Sequence, residues 1–329
     1  MARYIALSAS VSVTDGSEGI VAPTTKSSNM GPVSWGWIIG RRAYDAPCRM
    51  GERAARIATL RTMIDAALAR DIAGQLLDAE RTKTPMRQIS QRHPGLTIDD
   101  AYAIQDAGVA LRVAAGRTVR ARKIGLTSRA MQQSVNITEP DYGVIYDDMF
   151  YADGSVVPLA DFIAPRVEVE LAFVLGDTLR GPGCTLFDAL RATEYVTPAL
   201  EILDARIQMT DPESGSSRTI IDTISDNAAD AGIVTGGRVV RPMDVDLRWV
   251  SALLYRNGVI EESGVAAAVL NHPANGVAWL ANKLAAHGVA LEAGLVILAG
   301  SFTRPVWVRA GDTFHADYGP MGSIAVQFA

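Results

Sequence analysis

The sequence predicts an α+β fold: a mixed β-sandwich roll with a helical segment before it. Three observations carry this. Helical periodicity is concentrated between residues 59 and 117. Strand patterns then outnumber helix patterns. The two types do not alternate regularly, which argues against a doubly wound parallel sheet.

In the helical part, Ile64, Leu68, Ile72 and Leu76 recur every four residues and make one apolar stripe. Pro85 interrupts the helical pattern after that stripe. Thr97-Ile-Asp-Asp100 has the form of a capping box, with Asp in place of the usual Glu. It opens a second helix through Ile104 and Leu111, with Gly116 as the stop. In the strand part, Val167-Glu-Val-Glu-Leu alternates strictly, and β-formers continue to Leu175. Leu247–Tyr255 is a second strand run, and Asn257-Gly258 turns it into Val259-Ile260 as a hairpin. Leu295–Ala299, Thr313–Tyr318 and Ile324–Phe328 complete the strands. Helices are expected from Thr185 to about Val196, ended by Pro198, and from Pro273 to Ala286, ended by Gly288. Gly232–Gly237 precedes no clear helix and does not read as a phosphate loop.

Composition narrows the function. The chain has 329 residues, 48% hydrophobic and 20% charged, which is enough to bury a large core and too apolar for disorder. No uncharged apolar run is long enough for a membrane span. A net charge of −5 argues against broad nucleic-acid binding. Two cysteines, Cys48 and Cys184, exclude a disulfide scaffold and fit a cytoplasmic location. Residues 1–58 carry seven basic and four acidic residues, so residues 59–329 hold a net −8. The first segment is rich in Ser, Thr, Gly and Pro. It reads as a poorly ordered, non-catalytic extension before a single catalytic domain, 59–329.

The informative chemistry is Arg166-Val-Glu168-Val-Glu170. Residues two apart on a strand share a face, so Glu168 and Glu170 project together. Adjacent carboxylates in an apolar strand repel unless a cation lies between them. A solvated face with Arg166 pairing one glutamate is the competing account. Glu201 sits in a second apolar run, Pro198-Ala-Leu-Glu-Ile-Leu-Asp204. Three carboxylates from two strands suit one face of an oxygen shell around Mg²⁺ or Mn²⁺. A 2-oxo acid would fill two further positions, and the cation would stabilise an enolate.

Six motifs occur in order: Lys123-Ile-Gly-Leu-Thr-Ser128, Glu139-Pro-Asp-Tyr-Gly143, Pro165-Arg-Val-Glu-Val-Glu170, Ala199-Leu-Glu-Ile-Leu-Asp204, Asp222-Thr-Ile-Ser-Asp-Asn-Ala228 and Gly300-Ser-Phe-Thr303. Together they resemble the hydratase and decarboxylase branch of the fumarylacetoacetate hydrolase superfamily, over about 60–329. The resemblance implies a fumarylacetoacetase C-terminal-like roll and a homo-oligomer in aromatic catabolism. It implies Glu168, Glu170 and Glu201 as ligands of a divalent metal, usually Mg²⁺. Lys123 and Asp141 match active-site positions, and Ser301 lies on the segment that faces substrate. Leu247–Asn282 and Gly300–Gly322 point to hydratases of a seven-carbon 2-oxo-enedioate. The implied reaction is hydration of 2-oxohept-4-ene-1,7-dioate, or its dienol, to 4-hydroxy-2-oxoheptanedioate.

On this reading Asp141 is the general base. Lys123 either donates or relays protons, or hydrogen-bonds the substrate carboxylate, and proton transfer requires that burial or a neighbour lower its pKa. Asn227 is a weaker substrate contact, with capping as its rival role. A dianionic substrate needs a local cation, and Arg206, Arg129 and Arg304 are candidates for its distal carboxylate. The four histidines, His93, His272, His287 and His315, offer no clear His–Glu pair of the hydrolase type, and His315 is expected to be packed. The alternatives are a 2-oxo-3-enedioate decarboxylase of the 4-oxalocrotonate type and a 2-hydroxypenta-2,4-dienoate hydratase. An acylpyruvate hydrolase and an inactive partner subunit are further alternatives.

Overall fold

A computed structural model describes residues 64–134 and 137–329. The expectations for residues 1–58, and Cys48, lie outside the described residues.

The lead-in contains α1 (Ala66–Thr82), α2 (Ile89–Arg92) and α3 (Ile98–Ala114). Asp65 caps α1 by accepting from the Ala67 amide. The capping box of α3 forms as its sequence requires: Thr97 Oγ1 accepts from the Asp100 amide, and Asp100 Oδ2 accepts from the Thr97 amide. The α1 stripe of Ile72 and Leu76 packs with Ile104 of α3, Ile89 and Ile207 in a core of its own.

After α3 the chain runs through β1 (Val119–Gly125), α4 (Arg129–Ser134), β2 (Asp141–Tyr146), β3 (Phe150–Ala152), β4 (Ser155–Val157) and β5 (Arg166–Leu175). Next come α5 (Leu186–Ala192), β6 (Thr193–Leu203), α6 (Ile220–Ser225), β7 (Asp230–Thr235), β8 (Ser251–Arg256) and β9 (Val259–Val265). The chain closes with α7 (Pro273–Ala285), β10 (Val296–Leu298), β11 (Val306–Trp307), β12 (Thr313–Asp317) and β13 (Ser323–Phe328).

These strands form two sheets. One has the order β2-β1-β10-β5-β6-β7-β3, with β11 also paired to β5; the other runs β4-β13-β12-β8-β9. Both contain parallel and antiparallel pairs. Alternation decides what each sheet buries. Val167, Val169, Leu171 and Phe173 of β5 join Leu254, Phe314, Ile324, Val326 and Phe328 of the second sheet in the main core. The opposite face of the first sheet carries Ala121, Ala172 and Ala199 beside Ile145, Ile233 and Leu298. That sheet curls until β2 approaches β7, so this face lines a trough.

Three sequence expectations shift. The helix at 185–196 ends at Ala192, and Thr193 starts β6. The run Thr193, Tyr195, Val196, Thr197 is β-branched and aromatic, and pairing with β5 overrides the helical pattern. Pro198 therefore lies inside a strand. It is tolerated because the β6–β7 ladder begins only at Ala199. The Leu247 run opens with a 3₁₀ turn, and its strand starts at Ser251. His315 is exposed against Tyr255 rather than packed, because Phe314 and Ala316 take the inward positions of β12. The Asn257-Gly258 hairpin forms with both residues at positive φ, 54° and 81°, as a type I′ turn requires.

Candidate active site

The trough face is built by register. Glu168 of β5 lies directly opposite Glu201 of β6, and Glu170 opposite Ala199. The three glutamates therefore share one face, and each offers an oxygen within 4.8 Å of the others. Glu170 and Glu201 are fully buried. Glu170 Oε2 accepts from the Gly300 amide at 2.9 Å. Glu170 Oε1 and both Glu201 oxygens have no hydrogen-bond partner. Burial, and then repulsion from Glu201, pushes the Glu168 carboxyl up to about 8 and raises Glu170 strongly. Three converging carboxylates, with buried oxygens on Glu170 and Glu201 that lack a hydrogen bond, are the donor set of a hard divalent cation. The residues fit the group.

Behind the sheet, the Tyr318 hydroxyl donates toward the carbonyl oxygens of Ala199 (2.6 Å) and Glu170 (3.2 Å). It ties the two strands together at the level of the glutamates. The Thr303 hydroxyl accepts from the Val169 amide and anchors the 300–303 segment to β5.

Lys123 reaches into the trough from β1. Its Nζ lies 3.1 Å from Glu201 Oε1 and donates to the Ala228 carbonyl at 3.1 Å. That carbonyl is presented by Asn227, Ala228 and Ala229, at positive φ of 52°, 53° and 60°. Three successive non-glycine residues there are strained backbone. Burial alone would lower the lysine's pKa, but Glu201, Asp141, Glu168 and Asp230 together raise it. With no ion between the glutamates, these carboxylates hold the Lys123 proton more firmly than water would.

Asp141 begins β2 opposite Gly125, and Gly143 lies opposite Lys123. A Cβ on Gly125 would sit 2.2 Å from Asp141 Oδ1 and 3.1 Å from Lys123 Nζ. A Cβ on Gly143 would sit 3.2 Å from Lys123 Cγ. The two glycines leave the space that the lysine and aspartate occupy. Asp141 is buried, and Oδ1 has no hydrogen-bond partner. Burial raises its pKa more than Lys123 lowers it.

The remaining sequence candidates sit differently. The Ser301 hydroxyl is used within its own turn, donating to the Thr303 carbonyl and accepting from its amide. Asn227 holds both backbone groups of Val144 at 2.8 Å. Arg206 is buried, and Nε, Nη1 and Nη2 all donate within the chain, to Asp226 Oδ1, Asp230 O and Asp226 O. Every side-chain nitrogen is thus engaged within the chain. Arg304 pairs with Glu262, and Arg129 is exposed on α4. Arg166 makes no ion pair with either glutamate and instead lies over the Trp307 ring at 5.0 Å. Sequence reasoning missed Asp230, a buried carboxylate with two unpartnered oxygens within reach of Glu201 and Lys123. Its only sequence signal is an acid heading an apolar strand. A cavity of about 810 Å³ between Tyr195, Arg238, Trp249 and Met321 does not include the glutamates.

A curled mixed sheet thus gathers three convergent carboxylates, a buried lysine and a buried aspartate in one trough, the makings of a divalent-metal carboxylate centre. Residues 112–329 match the fumarylacetoacetate (FAA) hydrolase C-terminal family, and the chain belongs to it. It is 62% identical over 257 residues to a 2-oxo-hept-4-ene-1,7-dioate hydratase of Escherichia coli, covering 78% of this chain and 96% of that protein. It is 40% identical to a 2-hydroxyhexa-2,4-dienoate hydratase of Comamonas testosteroni, covering 77% and 95%. Among solved structures, a 4-oxalocrotonate decarboxylase from Pseudomonas putida G7, complexed with magnesium and adipate, superposes with a TM-score of 0.77. That pair shares 32% identity and covers 81% of this chain and 99% of the other.

Proposed function

We propose that this protein is a metal-dependent hydro-lyase that adds water to 2-oxohept-4-ene-1,7-dioate, or its 2-hydroxydienoate tautomer, giving 4-hydroxy-2-oxoheptanedioate. The 62% identity to a hydratase of that substrate, across 96% of its length, carries the reading. The trough supports it chemically. Glu168, Glu170 and Glu201 would hold the ion, with Mg²⁺ favoured because all-oxygen donor sets prefer hard cations. When bound, the ion supplies a Lewis acid for the substrate's 2-oxygen.

The chain's own groups supply the rest. Asp141, with its raised pKa and free Oδ1, takes a proton from the water that adds at C4. Lys123 keeps its proton and places a positive charge beside Glu201, where negative charge gathers on the substrate. Before addition, Asp141 takes the dienol proton from the 2-oxygen and returns it to C5, which conjugates the remaining double bond with the C2 carbonyl; after addition, Asp141 gives the proton taken from water to C3, restoring the C2 carbonyl. Ser301 and Asn227 shape the walls through backbone contacts. The enzyme acts as a cytoplasmic homo-oligomer in aromatic catabolism. Residues 59–329 make one catalytic domain. Among the described residues, no helix is long and apolar enough to cross a membrane.

The test is incubation with 2-hydroxyhepta-2,4-dienedioate and Mg²⁺. Loss of dienoate absorbance without CO₂ release is expected, together with formation of the 4-hydroxy product. Release of CO₂ would instead favour the decarboxylase reading, and inertness the partner-subunit reading.

A further inference from the structure

Tyr318 brings a buried hydroxyl into the main core, where a phenylalanine ring would need no polar partner. It directly follows β12 of the second sheet, and its hydroxyl crosses to the first. There it meets the carbonyl oxygens of Ala199 at 2.6 Å and Glu170 at 3.2 Å. Those two residues face each other across β5 and β6. Glu170 is one of the three convergent glutamates, and Ala199 stands two residues before Glu201 on the same face of β6. The hydroxyl thus fixes the two strands at the point that spaces Glu170 from Glu201.

The tyrosine is itself held on two sides. Its amide donates to the Gly322 carbonyl at 2.9 Å, which closes the turn between β12 and β13. Its ring meets Phe302 edge to face, with centroids 6.4 Å apart and planes at 82°. Phe302 is fixed in turn. Its amide donates to the Val169 carbonyl at 3.3 Å, and its own carbonyl lies against Gly264 of β9, where a Cβ would stand 1.8 Å away. The same segment supplies the Gly300 amide that donates to Glu170 Oε2. One cluster therefore grips Glu170 at both its main-chain carbonyl and its carboxylate.

We infer that Tyr318 is a positioning residue for the metal centre: its hydroxyl sets the spacing of Glu170 and Glu201 and so favours Mg²⁺ over the larger Ca²⁺. The inference rests on the proposed reading that the three glutamates hold a divalent ion, and not on the identity of the substrate. Partners that stand behind metal ligands and orient them are typically worth about 10–100-fold in affinity. Mg²⁺ demands near-octahedral geometry at about 2.0–2.1 Å, whereas Ca²⁺ accepts irregular shells at about 2.3–2.6 Å. Loosening the strand spacing therefore weakens Mg²⁺ binding more than Ca²⁺ binding.

The test titrates Mg²⁺ and Ca²⁺ calorimetrically into the EDTA-treated, dialysed full chain, as wild type and as variants. Tyr318→Phe removes only the hydroxyl. It is expected to raise the Kd for Mg²⁺ ~10-fold or more and that for Ca²⁺ by less, so that the ratio of the two moves toward Ca²⁺. Thr193→Val is the control. It removes another buried hydroxyl, which donates to the Ala189 carbonyl at 2.7 Å from the opposite end of β6 to Glu201. It should lower stability in metal-free melts, as Tyr318→Phe does, and leave the ratio at its wild-type value. An unchanged Mg²⁺ affinity in Tyr318→Phe overturns the inference, as does an equal loss for both ions, which is what a merely structural role would produce. Phe302→Leu keeps the hydroxyl but withdraws the ring packed against it, and should shift the ratio the same way by less. Should Tyr318→Phe not fold, a wild-type ratio in Phe302→Leu overturns the inference. A wild type that binds neither ion removes the metal reading and the inference with it; wild-type binding with an unmoved ratio in the variants removes only the role of Tyr318.

Discussion

Lys123 Nζ lies 3.1 Å from Glu201 Oε1, although β10 and β5 separate their strands in the sheet. Curling of the sheet brings them together across the trough. The lysine is the cation nearest the glutamates, so its removal should damage chemistry more than metal binding. Lys123→Ala is expected to lower kcat on the order of 100-fold or more, as is typical for a lost proton-handling or charge-stabilising group. Mg²⁺ affinity by calorimetry should stay close to wild type. Asp141→Asn should behave in the same way. Wild-type turnover in both variants would remove them from the mechanism.

Glu168, Glu170 and Glu201 crowd negative charge in a buried place, so the metal-free protein is held under repulsion. Glu170→Gln relieves part of it. In EDTA this variant should melt at a higher temperature than wild type. Saturating Mg²⁺ should reverse the order, since binding stabilises only a protein that keeps its ligands, by about 2.7 kcal/mol at a hundredfold excess over Kd. Activity of wild type should disappear in EDTA and return with Mg²⁺. Calorimetric melts with and without the ion check both signs.

The Arg206–Asp226 contact, 2.5 Å between Nε and Oδ1, is buried on both sides. Removing one partner leaves a buried charge unpaired, at a cost of about 3–5 kcal/mol. Arg206→Met and Asp226→Asn should therefore reduce stability in urea titrations. At a temperature where each variant is folded, KM for the dienedioate should be nearly unchanged. A large rise in KM with wild-type stability would return Arg206 to the substrate site.

Gly125 leaves room for the Asp141 carboxylate, and a Cβ there would come within 2.2 Å of Oδ1. Gly125→Ala must move that carboxylate or the strand. A stability loss of about 1–3 kcal/mol is expected, with kcat reduced more than in a substitution at a remote glycine such as Gly74, where a Cβ meets nothing within 4 Å. Parallel thermal melts and rate measurements separate the two effects.

Much of this protein is legible in its sequence because the strongest signals are local. Period-two alternation put Glu168 and Glu170 on one face. Thr97 and Asp100 specified their own cap, and Asn257-Gly258 its own turn. The ordered motifs indicated the family before any coordinate. Features that depend on partners distant in the chain needed the folded molecule. Pairing with β5 turned residues 193–203 into a strand, overriding a helical pattern, and placed Glu201 opposite Glu168. Sheet curvature brought Lys123 to Glu201 and raised its pKa, where a lysine read alone gave no sign of either. Arginines look alike in a sequence. Only packing shows that all three side-chain nitrogens of Arg206 already donate within the chain, while Arg166 and Arg218 each keep a buried nitrogen without an acceptor. Local periodicity is set by neighbours one to four residues apart, whereas register, curvature and hydrogen-bond satisfaction are settled only when remote segments meet.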